Sequence, residues 1–269
     1  MNTSLPPLLL IGAGRMGSAL LGGWRAQGLS ELVIVDPAPA AQALAGGGVH
    51  VVSDLTALPA TFAPTAVILA VKPQMAATCL PACARFAHTA LFVSIMAGKT
   101  TQGLSALLGH AEAIVRAMPN TPAAIRQGMS VAYATPGLSA AHKQLATMLL
   151  EAAGHVAWVE DESLLDPVTA ISGGGPAYVF LLTELLEQAG LDQGLPSALA
   201  RTLARQTVIG AAALMASSPE TPETLRMAVT SPGGTTAEAL KLLRADDALP
   251  KIFKLAIDAA TQRSRALST

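Results

Sequence analysis

The stretch Gly12-Ala13-Gly14-Arg15-Met16-Gly17 constrains this chain more than any other. The apolar run Leu8–Ile11 precedes it and a helical pattern follows, so the glycines sit where a buried strand turns into a helix. In that setting Gly12 permits the tight turn, Gly14 lets backbone approach a pyrophosphate, and Gly17 lets the helix pack on the strand. The helix start then presents free N–H groups and a partial positive charge to phosphate. Gly12, Ala13, Gly14, Arg15, Met16 and Gly17 are therefore expected to form a dinucleotide-binding loop. The competing reading is a glycine-rich turn that binds nothing.

An acid in the expected place supports the first reading. Asp36 closes the next apolar run, Leu32–Val35, 19 positions after Gly17. A carboxylate there accepts the ribose hydroxyls of NAD, and a 2′-phosphate about 4 Å away would meet repulsion of roughly 1–4 kcal/mol. No arginine follows in Pro37-Ala38-Pro39, although Arg15 lies in the loop. The sequence leans to NADH and leaves NADPH open. The bland alternative is a solvated aspartate starting a turn before Pro37.

Short apolar runs continue at Val67–Val71, Leu91–Ile95, Ile114–Arg116, Met129–Tyr133 and His155–Val159, separated by helical stretches. This alternation predicts an α/β domain with a doubly wound parallel sheet over residues 1–161. The C-terminal ends of its strands are where such a sheet binds ligands. They carry Ala70-Val71-Lys72-Pro73 and then Ser94–Gly98, which includes Ile95, Met96 and Ala97. Lys72 is expected along the ribose or pyrophosphate, unless it is an ordinary surface lysine. The small residues of the second segment leave room for a nicotinamide ring.

From residue 162 to 269 no β signal remains. Pro176–Gly190, Ser197–Ser217, Thr235–Arg244 and Asp247–Leu267 read as helices, and Thr221-Pro222-Glu223 is a helix start. Phe180–Leu182, Leu185, Leu186 and Val208–Met215 are apolar on most sides, more than about a hundred residues of helix can bury alone. Composition agrees: 51% of residues are hydrophobic and only 13% charged, about half the usual ~25%. Alanine inflates the hydrophobic count, which is the competing explanation. The expectation is a homodimer built through an all-helical second domain.

Several functions are disfavoured. A net charge of −1 draws the chain neither to nucleic acid nor to an anionic membrane. Cys79 and Cys83 read as two small buried thiols, and the five histidines are scattered, so no metal site is expected. No signal peptide and no apolar run of spanning length is visible, which points to a cytoplasmic protein.

Three further motifs carry a resemblance. Arg116-Ala117-Met118-Pro119-Asn120-Thr121-Pro122, Ser172-Gly173-Gly174-Gly175-Pro176-Ala177-Tyr178 and Ser231-Pro232-Gly233-Gly234-Thr235-Thr236 occur in that order. With the glycine loop and Ala70–Pro73, they resemble the pyrroline-5-carboxylate reductase family over essentially the whole chain. The resemblance implies a Rossmann domain joined to a helical dimerisation domain, an intertwined dimer that often forms larger rings, and reduction of 1-pyrroline-5-carboxylate to L-proline by NADH or NADPH. It implies that backbone N–H groups of the loop containing Gly234, Thr235 and Thr236 hold the substrate carboxylate, that Thr236 contacts the ring nitrogen, and that Glu162 lies at the substrate site. Arg15 stands where the family usually has asparagine, and Gly174 where it usually has serine.

The residues make sense without the transfer. A glycine pair opening the helical pattern Ala237–Arg244 is an anion site, or else a plain turn with a threonine cap. Glu162 could stabilise an iminium charge, or be an exposed acid in Glu160-Asp161-Glu162. A β-hydroxyacid dehydrogenase would need a lysine near Ser172–Tyr178, and Lys241, Lys251 and Lys254 are the only lysines after Lys143. A reductase of a six-membered cyclic imine and a cofactor-sensing protein are two further readings of the same residues.

Overall fold

The computed structural model describes residues 5–268. Eight strands form one sheet: β1 (Leu8–Ile11), β2 (Leu32–Val35), β3 (Val49–Val52), β4 (Ala66–Leu69), β5 (Leu91–Ser94), β6 (Ile114–Met118), β7 (Gly128–Ala134) and β8 (Gly154–Trp158). Ten α-helical segments accompany them among the described residues: α1 (Arg15–Ala26), α2 (Ala76–Cys79), α3 (Thr101–Leu107), α4 (Ala140–Glu151), α5 (Leu165–Val168), α6 (Gly175–Asp192), α7 (Ser197–Ser217), α8 (Pro222–Ala228), α9 (Thr235–Leu243) and α10 (Ala248–Leu267).

The sheet order is β3-β2-β1-β4-β5-β6-β7-β8. The first six strands run parallel, in the order of a doubly wound dinucleotide-binding sheet. The strand order reverses between β1, which pairs with β2, and β4, so a crevice opens at their C-terminal ends. Two features depart from the expected all-parallel sheet. β3 was not among the expected strands, and β7 pairs antiparallel to β6 before β8 runs parallel to β7. A short connection explains the second: Thr121–Ile125 is a single 3₁₀ turn, too little chain for the crossover a parallel strand needs.

Side-chain alternation builds a core on each face. Leu8 and Leu10 of β1 join Leu20, Leu21 and Trp24 of α1 and Leu149 and Leu150 of α4 on one face. Leu9 and Ile11 join Leu80, Phe86 and Leu104 on the other. The Trp24 indole N–H donates to the Leu149 carbonyl at 2.9 Å, which ties α1 to α4 and satisfies a buried donor.

By compactness the chain divides into one unit of residues 1–173 with 260–269, and a second of residues 174–259. This is not the single cut after residue 161 read from the sequence. The segment from Glu162 to Gly173 hydrogen-bonds back to the sheet unit, through Glu162 to Thr101 and through Ser172 to Asn120. The end of α10 does the same: Ser264 donates to buried Asp166 at 2.6 Å. The second unit is helical, with α6 and α7 packed as a hairpin. Helix limits follow the sequence closely, although α6 starts one residue earlier and runs two further than Pro176–Gly190.

Candidate cofactor and substrate sites

The crevice beside β1 is a cavity of about 680 Å³. Its floor is the glycine loop. Gly12 has φ +89°, a conformation side chains rarely adopt, and a Cβ there would lie 3.0 Å from the Ala70 carbonyl oxygen. A Cβ on Gly17 would lie 2.6 Å from the Gly12 carbonyl oxygen, so α1 packs directly on the turn. Gly14 differs: nothing lies within 4 Å of a Cβ there, and the residue is exposed on the cavity wall. The loop thus leaves open the space a pyrophosphate needs, and no side chain caps the first turn of α1. These residues fit a dinucleotide.

Asp36 builds this loop as well as facing the cavity. Its Oδ2 accepts the Ala13 N–H at 2.7 Å and its Oδ1 accepts the Ala38 N–H at 2.8 Å. The carboxylate therefore lines the crevice and also starts the turn at Pro37. Each oxygen keeps acceptor capacity for a ribose hydroxyl. The Ala13 amide is engaged by Asp36, so it is not free for a phosphate. Met16 is half-buried against the core, while Arg15 is exposed and outside the cavity lining.

β4 ends at Leu69, two residues before the expected limit, so Ala70 and Val71 leave the sheet and join Lys72 on the opposite wall. Pro73 opens the next turn. The segment after β5 is divided in its contacts. Met96 is 2% exposed and packs in the core, Ile95 is half-buried, and Ala97 is exposed. None of the three lines this cavity. Cys79, expected to be buried, lines the crevice, whereas burial pushes the Cys83 thiol up to about 12.

Glu162 is anchored rather than free. Oε1 accepts the Thr101 N–H at 2.8 Å and Oε2 accepts the Thr101 hydroxyl at 2.7 Å. The Arg116 guanidinium on β6 pairs with Oε1 at 3.0 Å, with side-chain exposures of 6% and 21%. Sequence reasoning missed Arg116 and Thr101 as partners of Glu162. The one signal in the sequence was an arginine in an otherwise apolar strand pattern, since a buried arginine needs an acid. Asn120 is a second connector: its side chain donates to the Ser172 carbonyl at 3.2 Å and accepts the Met129 N–H at 2.9 Å.

Gly234, Thr235 and Thr236 belong to the helical unit. Gly233 takes φ +68°, the Gly234 N–H donates to the Ser231 carbonyl at 3.0 Å, and Gly234 caps α9 without a side-chain hydrogen bond. Thr235 and Thr236 are exposed in its first turn. The alternative of a threonine cap fails here, because the capping position is the glycine. Free N–H groups at the start of α9 suit a carboxylate. Among the described residues no cluster of three potential metal ligands occurs, and no helix is long and apolar enough to cross a membrane.

A fingerprint loop at the switch point of a 3-2-1-4-5-6 sheet, with an acid after β2 and a helical unit beyond, defines a nicotinamide-dependent oxidoreductase. Residues 8–98 match the family model described as NADP oxidoreductase, coenzyme F420-dependent, and residues 162–267 match the one for pyrroline-5-carboxylate reductase dimerisation. The pyrroline-5-carboxylate reductase of Pseudomonas aeruginosa is 41% identical over 268 residues, covering 98% of each chain. A solved pyrroline-5-carboxylate reductase from Coxiella burnetii superposes with a TM-score of 0.90 at 33% identity, covering 99% of this chain and 100% of that one. The pyrroline carboxylate reductase of Plasmodium falciparum, solved with NADP bound, gives 0.84 at 28% identity and the same coverage. This chain belongs to the pyrroline-5-carboxylate reductase family.

Proposed function

We propose that this protein reduces the C=N bond of 1-pyrroline-5-carboxylate to give L-proline, with NADH as the preferred reductant. The observation that carries the reading is family membership over nearly the full chain, together with the cavity at the glycine loop. When bound, the reduced nicotinamide supplies the hydride. A protonated cyclic imine is already electrophilic, so the chain's task is binding and orientation.

In this reading Gly12–Gly17 hold the dinucleotide, with Asp36 on the ribose and Ala70–Pro73 along its length, while the segment Ile95–Ala97, outside the crevice lining, flanks the nicotinamide end through its backbone. The N–H groups of Thr235 and Thr236 bind the substrate carboxylate, and Gly234, whose own N–H is taken by the Ser231 carbonyl, forms the turn beside them. The Thr236 hydroxyl meets the ring nitrogen, where it can donate or accept. Glu162 is a positioned carboxylate at the substrate site, with Thr101 and Arg116 holding its two oxygens. Residues 1–161 then carry the cofactor function and 162–269 the dimerisation and substrate function, a division that follows the match to the dimerisation family over 162–267 and not the packing of 162–173 with the sheet. The exposed apolar faces of α6 and α7 support a homodimer through the helices, assembled further into rings. A cytoplasmic location and a metal-free reaction complete the reading.

The test is a rate assay with racemic pyrroline-5-carboxylate, using NADH and NADPH separately. Turnover to proline with higher kcat/KM for NADH, and a loss of at least about tenfold in Thr236→Val, is the expected result. Folded protein that binds NADH yet turns over only a six-membered cyclic imine, or nothing, overturns it.

A further inference from the structure

We propose that Asp54 is a second determinant of cofactor choice, acting with Asp36 as a pair of carboxylates that rejects a 2′-phosphate. The proposal rests on the reading of the crevice as the cofactor site. Asp54 follows β3, next to β2 in the sheet, and Asp36 and β3 are joined directly because the Asp36 N–H donates to the Val52 carbonyl at 3.0 Å. Both acids line the same cavity. In a doubly wound sheet the adenosine ribose lies beside the acid that follows the second strand. A 2′-phosphate there would lie between the two strand exits that carry these acids.

Asp54 is fixed and charged. Its Oδ1 accepts the Thr56 N–H at 2.8 Å and also the Thr56 hydroxyl, and the Ser53 hydroxyl donates to Oδ2 at 3.3 Å. These bonds, the Thr56 hydroxyl foremost, hold its carboxyl below the usual range, so it is an anion at neutral pH. The cation among the residues lining this cavity is Lys72, which follows β4. In the sheet order the exits of β3 and β4 are separated by β2 and β1, about 14 Å of sheet width. That exceeds the ~8 Å Debye length at physiological salt, so Lys72 does little to offset the acidic end. Asp36 also supports the Ala13 and Ala38 amides, so its removal damages the loop for every ligand. Asp54 has no such duty to the glycine loop, so the filter can be tested there.

The experiment is calorimetry of the full chain with AMP and with adenosine 2′,5′-bisphosphate, at about 0.05 and about 0.5 M NaCl. Neither ligand can react, so binding is read apart from turnover. The wild type is expected to prefer AMP. Asp54→Asn should raise affinity for the bisphosphate relative to AMP by about fivefold to tenfold at low salt, and less at high salt. Asp54→Lys, at the same exposed position, should reverse the preference. A wild type that prefers the bisphosphate, or an affinity ratio that neither variant moves, overturns the filter while leaving the cofactor site standing. A folded wild type that binds neither AMP nor NADH overturns the cofactor reading and the filter with it.

Discussion

The sheet unit and the helical unit use their apolar residues in opposite ways. Every residue of β1, β2, β4 and β5 is buried, and α1 and α4 close one face of that sheet. α6 runs for 18 residues without one buried side chain, and Phe180 on it is 66% exposed. α7 presents Leu199, Leu203, Ile209, Leu214 and Met215 in the same way. The low charge of the chain therefore shows in two ways: a closed core in one unit, and in the other an exposed apolar face.

The sharpest way to break this comparison is to charge the helical face. Phe180→Asp combined with Leu185→Asp is expected to reduce the particle to a monomer by light scattering and lower the Tm by about 10 °C or more, because oligomer and fold are linked. An unchanged mass and Tm would show that the face is not an interface. In the sheet unit the largest response should come from the loop. Gly17→Val forces a Cβ to 2.6 Å from the Gly12 oxygen and is expected to cost about 2–3 kcal/mol in urea unfolding. A Cβ on Gly14 meets no atom within 4 Å, so Gly14→Ala should leave stability within about 0.5 kcal/mol, while weakening NADH binding by more than about tenfold. Equal effects of the two on stability would contradict the open cradle at Gly14.

Removal of Arg116 should cost less than a fully buried charge, because Glu162 keeps 21% of its side-chain surface. Arg116→Met is expected to destabilise by about 2–3 kcal/mol, and much of that should return in the double variant with Glu162→Gln, whose side chain carries no stranded charge. Additive losses would dissolve the pair. The smallest effect concerns the thiols. With Cys83 raised from 9.0 to about 12, its thiol stays neutral at pH 8, so a thiol reagent should titrate Cys79 alone in native protein. Because the neutral thiol is the form favoured by folding, its contribution is intact below pH 9 and is lost as pH rises through about 12. Bound NADH should slow the Cys79 reaction, since that side chain lines the crevice.

What could be read in advance follows from local physics. Leu8–Ile11 and Leu32–Val35 are short apolar runs with glycine or aspartate at their ends, and their limits agree with the structure. α7 agrees residue for residue because nothing interrupts its pattern from Ser197 to Ser217. β3 was hidden: Val49–Val52 contains His50 and follows Gly46-Gly47-Gly48, so it reads as a loop until it pairs with β2 at the sheet edge. The direction of β7 is a tertiary property that no periodicity encodes. The strand-to-helix setting of the glycine loop and the place of Asp36 after β2 were legible because short-range spacing fixes them. The anchoring of Glu162 was not, since Thr101 and Arg116 lie 61 and 46 positions away.

The path of the chain constrains how the molecule is made. Residues 260–269 return to the sheet unit after the helical unit has been traversed, with Ser264 and Ser268 donating to Asp166 and a Cβ on Gly98 meeting the Leu267 carbonyl at 2.7 Å. During synthesis the ribosome must therefore deliver all of the helices before the sheet unit has its last part. An early stop near residue 260 would leave Asp166 with neither serine partner and expose the loop after β5. A nascent chain can assemble most of its sheet early, yet it cannot finish that unit until the segment carrying Ser264 and Ser268 has been made.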